Sequence, residues 1–224
     1  MIYSYAAILH GVMAGLCLVS SAYLYGRKEN HPAAKNYFNW FFLYTFFNLS
    51  LVLPLIVFDE LNIYTGYFYA IALFFLGLAA WQAFKTALNF IGGFPKKYAS
   101  IIYLIGVMAV TALHFIYPEI PMGSADGKWV FWYPRSWISL LYVAFMFVAG
   151  WTFFASFLRG MRGISPVLKL RALLFSSGAF LLPLAAYYYF GAAKISDIYL
   201  AFIFAIGGLF LFAAGNMIGL FKKG

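Results

Sequence analysis

Two histidines, His10 and His114, are the side chains of this sequence best equipped for chemistry. Both fall within long apolar runs. His10 lies ~10 Å inside the first run and His114 ~5 Å from the end of the fourth, at about 1.5 Å per helical residue. If those ends lie on the same side, the two imidazoles share a layer. Such a pair could supply two axial ligands to a haem b or hydrogen-bond a quinone head group. The alternative is that each is satisfied by a backbone carbonyl or a tyrosine. Met13, one turn from His10, could join a ligand set or serve as a flexible filler. Cys17 is the lone cysteine, which leaves no disulfide framework and no CxxC metal site. Asn48 is the deepest amide and the expected interior contact for a ligand or partner.

A second chemical signal is the segment Lys128-Trp-Val-Phe-Trp-Tyr-Pro-Arg-Ser-Trp137. Its aromatic density exceeds what an interfacial belt requires. Trp129, Trp132, Tyr133 and Trp137 are therefore expected to contact lipid, a partner protein or a ligand. Tyrosines such as Tyr3, Tyr64, Tyr117, Tyr189 and Tyr199 are expected in the belt itself.

What must position these residues is a set of spans. Hydrophobic residues make up 65% of the 224-residue chain and charged residues only 9%, against about 25% charged in soluble domains. A soluble enzyme and a disordered chain are both excluded. Charge-free runs at roughly 3–25, 37–58, 64–84, 98–117, 136–158, 168–190 and 197–221 each have the ~20 residues that cross a bilayer as a helix. The expected fold is an all-α seven-helix transmembrane bundle forming one domain over residues 1–224. The third helix is expected to run past Lys85, whose amine would snorkel. Gly11 with Gly15, and Gly215 with Gly219, have the spacing that permits close helix contact. The first and seventh helices are accordingly expected to pack on each other.

Asp, Glu, Lys and Arg are missing from the interior of every span. Proton relays, ion pathways and voltage sensors need such groups, so a pump or ion channel is disfavoured. A retinal receptor is disfavoured too, since the last helix has no deep lysine. The expected role is non-catalytic.

Orientation follows from the loops. Twelve of the 15 basic residues fall in one alternating set of segments, which places the N-terminus outside and the C-terminus inside. The formal charge of +9 is thus a topology signal and not a mark of nucleic-acid binding. Arg27 follows the first apolar run instead of preceding it, so that run is expected to be a permanent helix and not a signal peptide.

The topology, together with Ser165-Pro-Val-Leu-Lys-Leu-Arg-Ala-Leu-Leu174, resembles the seven-helix sensory input module of some bacterial histidine kinases and diguanylate cyclases. The resemblance carries no catalytic motif. It implies a sensory role in a bacterial or archaeal cytoplasmic membrane. In that family an effector domain follows the last helix, whereas this sequence stops at Gly224, so the resemblance implies signalling through another subunit. The functions expected are a non-catalytic membrane subunit or receptor-like module binding a partner protein, lipid or small ligand; a haem or quinone anchor using His10 and His114; or a facilitator for an uncharged solute.

Overall fold

Backbone amides have no water to bond in hydrocarbon, so long apolar segments close their hydrogen bonds within themselves as helices. A computed structural model of the protein describes residues 3–26, 32–89, 91, 95–118, 120–132, 137–160 and 165–218. Its helices are α1 (Ser4–Tyr25), α2 (Pro32–Val57), α3 (Ile63–Leu88), α4 (Lys96–Ile116), α5 (Trp137–Gly160), α6 (Pro166–Phe190) and α7 (Ile195–Ile218). All seven are long and apolar enough to cross a membrane. Large apolar side chains cover their outer faces, with Val19 and Ile102 each 70% exposed. That surface suits lipid and not water, which together with the seven long apolar helices suggests a membrane protein.

Local signals explain several helix ends. Asn62 caps α3 by accepting from the backbone of Tyr64 and Thr65, and Thr65 returns the bond to the Asn62 backbone. Pro32 and Pro166 open α2 and α6, where a missing N–H costs nothing. α3 continues to Leu88, and the Lys85 amine sits 5.0 Å from the centre of the Trp81 ring.

Consecutive helices pack against each other, and α3 also packs on α5. Glycines mark the tightest approaches. A Cβ at Gly178 would lie 2.8 Å from the Gly208 carbonyl oxygen, so α6 and α7 nearly touch backbone to backbone. A Cβ at Gly150 would lie 2.6 Å from the Pro183 ring, which joins α5 to α6.

The expected seam between α1 and α7 does not form. Gly11 and Gly15 are exposed, with no atom within 4 Å of where a Cβ would stand. The inward stripe of α1 runs through Ala6, His10, Met13, Cys17 and Leu24, and both glycines fall off it. Gly215 faces Phe175 of α6, and Gly219 lies outside the described residues. α1 instead reaches α7 through side chains, His10 meeting Phe202 with ring centroids 5.4 Å apart.

Between α4 and α5 the chain forms a short antiparallel ladder, β1 (Met122–Gly123) with β2 (Val130–Phe131). Its turn is tied by Ser124 and Asp126. The Ser124 hydroxyl donates to Asp126 Oδ1 at 2.5 Å, and the Lys128 backbone N–H donates to the same oxygen at 3.1 Å. Gly127 supplies the left-handed backbone there, at φ 65°. The hairpin is clipped onto the start of α1. Tyr3 N–H donates to Gly127 O at 2.7 Å and Ala6 N–H to Lys128 O at 3.3 Å. The Tyr3 ring lies over Gly123, where any Cβ would collide with it.

The Ser124 hydroxyl and the Lys128 amide both favour the ionised form of Asp126, so its carboxyl is held below the usual carboxylate range. A carboxyl with a lowered folded pKa supports the turn above the ordinary carboxylate pKa and releases it as pH falls through the folded value. Hydrogen exchange at the Lys128 and Trp129 amides is therefore expected to stay slow, after correction for intrinsic rates, at about pH 5 and to quicken below about pH 4. Asp126→Asn should quicken it already at neutral pH. Unchanged protection in that variant would show that the carboxylate does not hold the turn.

Candidate functional site

His10 points into the bundle from α1 and is 3% exposed. Its ring joins three helices. Nδ1 is 3.0 Å from Asn48 Oδ1 of α2, and Nε2 is 2.6 Å from the Tyr189 hydroxyl of α6. The proton positions follow from the neighbours. Asn48 Nδ2 donates to the Tyr44 carbonyl at 2.9 Å, which fixes the amide with its oxygen toward His10. An amide oxygen only accepts, so His10 Nδ1 carries the proton and Nε2 accepts from Tyr189. The result is a directed chain from Tyr189 through His10 to Asn48 and Tyr44.

These groups stand at one end of a partly enclosed cavity. Every helix except α4 contributes to its wall. The wall is largely small or aromatic, with Ala80, Ala149, Ala179, Ala205, Trp40 and Phe212 among its residues. The space exists because alanines stand where larger side chains would have filled it. Its far end carries a second polar pair, Gln82 Nε2 donating to Asn36 Oδ1 at 3.1 Å. On α2 the two polar ends are separated by about 18 Å, at 1.5 Å per residue. No Asp, Glu, Lys or Arg is among the described lining residues. The Arg171 guanidinium lies 5.4 Å from the centre of the Phe175 ring.

No known family, characterised protein or solved structure matches this chain.

The arrangement sorts the residues singled out from the sequence. Asn48 does face the interior and contributes to the cavity wall. His114, on α4, sits elsewhere and packs edge-on against Tyr69 with centroids 5.6 Å apart. From one imidazole to the other the ring contacts run His10, Tyr189, Phe190, Tyr69, His114. Packed rings occupy the path between them, and both His10 nitrogens are already engaged. No group of three or more metal-ligating side chains exists among the described residues.

The aromatic segment also departs from expectation. Trp129 and Trp132 are buried, at 3% and 1% exposure, and form no surface patch. Burying two indoles removes a large apolar area from solvent, which folds the hairpin down onto the bundle end. Trp129 meets Tyr5 of α1 and Tyr199 of α7 edge-on. Trp132 stacks on Tyr69 at 5.5 Å. Its indole N–H closes no hydrogen bond of ordinary geometry among the described residues, and the polar group within its reach is the Tyr189 hydroxyl. Trp137 remains on the surface at 62% exposure, and Tyr133 lies outside the described residues.

Tyr189 is the residue that sequence reasoning misplaced. It belongs by type to the belt, yet it turns inward while Tyr187 of the same run is exposed. The signal was its position one turn beyond Ala185 and Ala186, on the face of α6 that carries small residues.

Proposed function

We propose that this protein is a non-catalytic, receptor-like membrane module that binds a small, predominantly apolar ligand inside its helix bundle. The observation that carries the reading is the cavity itself: an apolar space inside the bundle, met at one end by His10, Asn48 and Tyr189. Small-molecule sites are typically apolar hollows with a few placed polar groups. The burial of Trp129 and Trp132 supports an interior ligand over a partner docked on the aromatic hairpin. The same indoles cover one end of the bundle, which favours a binding module over a conduit. The engaged nitrogens of His10 weigh against a haem anchor. The distribution of basic residues supports an orientation with the hairpin outside, in a bacterial or archaeal cytoplasmic membrane.

Native mass spectrometry of protein extracted from its own membrane in mild detergent tests the reading. The expected spectrum carries a small-molecule adduct on the 25.2 kDa chain. Ala80→Phe, which fills the cavity from the wall of α3, should lose the adduct while keeping the wild-type unfolding midpoint. A bare chain, or an adduct that persists in Ala80→Phe, would overturn the assignment.

A further inference from the structure

Arg171 is a cation in want of an acceptor. It stands five residues beyond Pro166, the start of α6, which is about 8 Å along the helix. The side chain is half-buried, and its Nε is buried with no hydrogen-bond partner among the described residues. Its guanidinium lies over the Phe175 ring. A ring face attracts the charge but offers no lone pair to the N–H donors. A buried donor left without an acceptor is costly, so the position calls for an acceptor from outside the described residues.

The surroundings select its chemistry. Tyr37 stands five residues beyond Pro32, the start of α2, at the same end of the bundle. Its ring stacks on Phe175 with centroids 5.4 Å apart, and its hydroxyl is within electrostatic reach of Arg171. No hydrogen bond to another described residue uses that hydroxyl. Phe175 also meets Phe157 of α5 and Phe212 of α7, so the guanidinium sits at a junction of four helices. The described acids, Asp59, Glu60, Asp126 and Asp197, fall at the opposite helix ends. Lys35, Arg159 and Lys169 are exposed at the same end as Arg171. The potential there is positive and favours an anion. α6 has 25 residues and is about 37 Å long, against about 30 Å of hydrocarbon in a bilayer. A spanning α6 would therefore hold its first turn in the headgroup layer, where phosphate is the abundant anion. Two phosphate oxygens also match the fork of guanidinium N–H groups. Basic pockets between membrane helices are a recurring setting for such head groups.

We propose that Arg171 and Tyr37 form a binding site for a phosphate group, with the guanidinium and the phenol donating to its oxygens. The phosphate belongs to an anionic lipid or to a soluble phosphate, since both present the same oxygens. The site is separate from the His10 end of the cavity and does not rest on the ligand reading above.

The test is native mass spectrometry of delipidated protein offered phosphatidylglycerol, a diacylglycerol with the same chains, and inorganic phosphate. A charge-assisted hydrogen bond corresponds to a preference of about tenfold or more. Phosphatidylglycerol is expected to occupy the protein about tenfold over the diacylglycerol. Arg171→Gln should abolish that preference. Arg171→Lys, which keeps the charge but not the fork, should lose most of it. Tyr37→Phe should weaken it about fivefold. Both conservative variants keep most of the side-chain volume, so the test stands even if Arg171→Gln does not fold. Lys169→Gln removes an exposed charge nearby and should leave the preference within about twofold of wild type. Equal losses in Arg171→Gln and Lys169→Gln would reduce the effect to surface charge and overturn the site. Equal binding of the two lipids with no phosphate adduct would overturn it too. A phosphate adduct that depends on Arg171, without a lipid preference, supports the site and names a soluble phosphate. A lipid preference that inorganic phosphate does not displace names the bilayer. Glu29 is the one acid of the sequence at this end and lies outside the described residues. Binding that appears only in Glu29→Gln would make Glu29 the partner of Arg171 and overturn the phosphate assignment. Ala80→Phe should leave phosphate binding intact, so failure here and failure of the cavity reading are told apart.

Discussion

Trp132→Ala is expected to lower the unfolding free energy by about 3–5 kcal/mol, the range for truncating a large aromatic side chain in a packed core. Trp132 is the largest of the fully buried side chains. Its indole stacks on Tyr69, which in turn contacts His114 and Phe190. Truncation opens a cavity beneath the hairpin and removes the packing partner of the ring that joins α3 to α4 and α6. Trp132→Phe keeps most of the volume and should recover well over half of the loss. Trp137→Ala is the control, since that indole is 62% exposed. It should change stability by no more than about 0.5 kcal/mol. Reversible denaturation in detergent micelles, followed by circular dichroism, measures all three. A Trp132→Ala protein within 1 kcal/mol of wild type, to order of magnitude, would show that the hairpin does not close the bundle end as described.

Gly178→Leu should be damaging for a different reason. A Cβ at this position would stand 2.8 Å from the Gly208 carbonyl oxygen and 3.0 Å from the Phe212 ring. The ring could rotate, but the carbonyl belongs to the α7 backbone. The two helices must separate, at a cost of about 1–3 kcal/mol or more for overpacking of this kind. Ala179 and Ala205 line the cavity beside this crossing, so ligand retention should fall with stability. Gly15→Leu makes the informative comparison. Nothing lies within 4 Å of its Cβ position, and leucine is a better helix former than glycine. It should be neutral or slightly stabilising. Equal damage at both positions would place α1 against a neighbour that the described packing does not contain.

That contrast shows where the sequence was legible. Helix number was readable because a hydrocarbon environment demands continuous apolar runs, and the composition left seven of them. The face that each helix buries was not readable in the same way. Lipid and protein interior are equally apolar, so hydrophobic residues do not report which side is inward. The glycine pair chosen by its spacing, Gly11 with Gly15, faces outward, whereas the pair that brings helices together, Gly178 and Gly208, lies on different helices and has no spacing to recognise. His10 and Asn48 stood out because polar groups at depth need partners. Tyr189 did not, because tyrosine is common at membrane boundaries. The cavity was the least visible feature. It is defined by what alanines fail to fill, and it emerges only when small residues of α3, α5, α6 and α7 are brought to one place. The indoles stood out as too dense for a belt, but density alone could not say whether they face outward or inward.

The hydrogen bonds from Tyr3 and Ala6 to Gly127 and Lys128 also set an order of assembly. Tyr3 and Ala6 wait for partners about 120 residues further along the chain. At ribosomal rates of about 5–20 residues per second, roughly 6–25 s separate the emergence of Tyr3 from that of Gly127. During that interval the chain through α4 is made while the first turn of α1 lacks these two acceptors. An arrest of translation before Gly127 would therefore leave the first turn of α1 without the two acceptors that pin it to the hairpin.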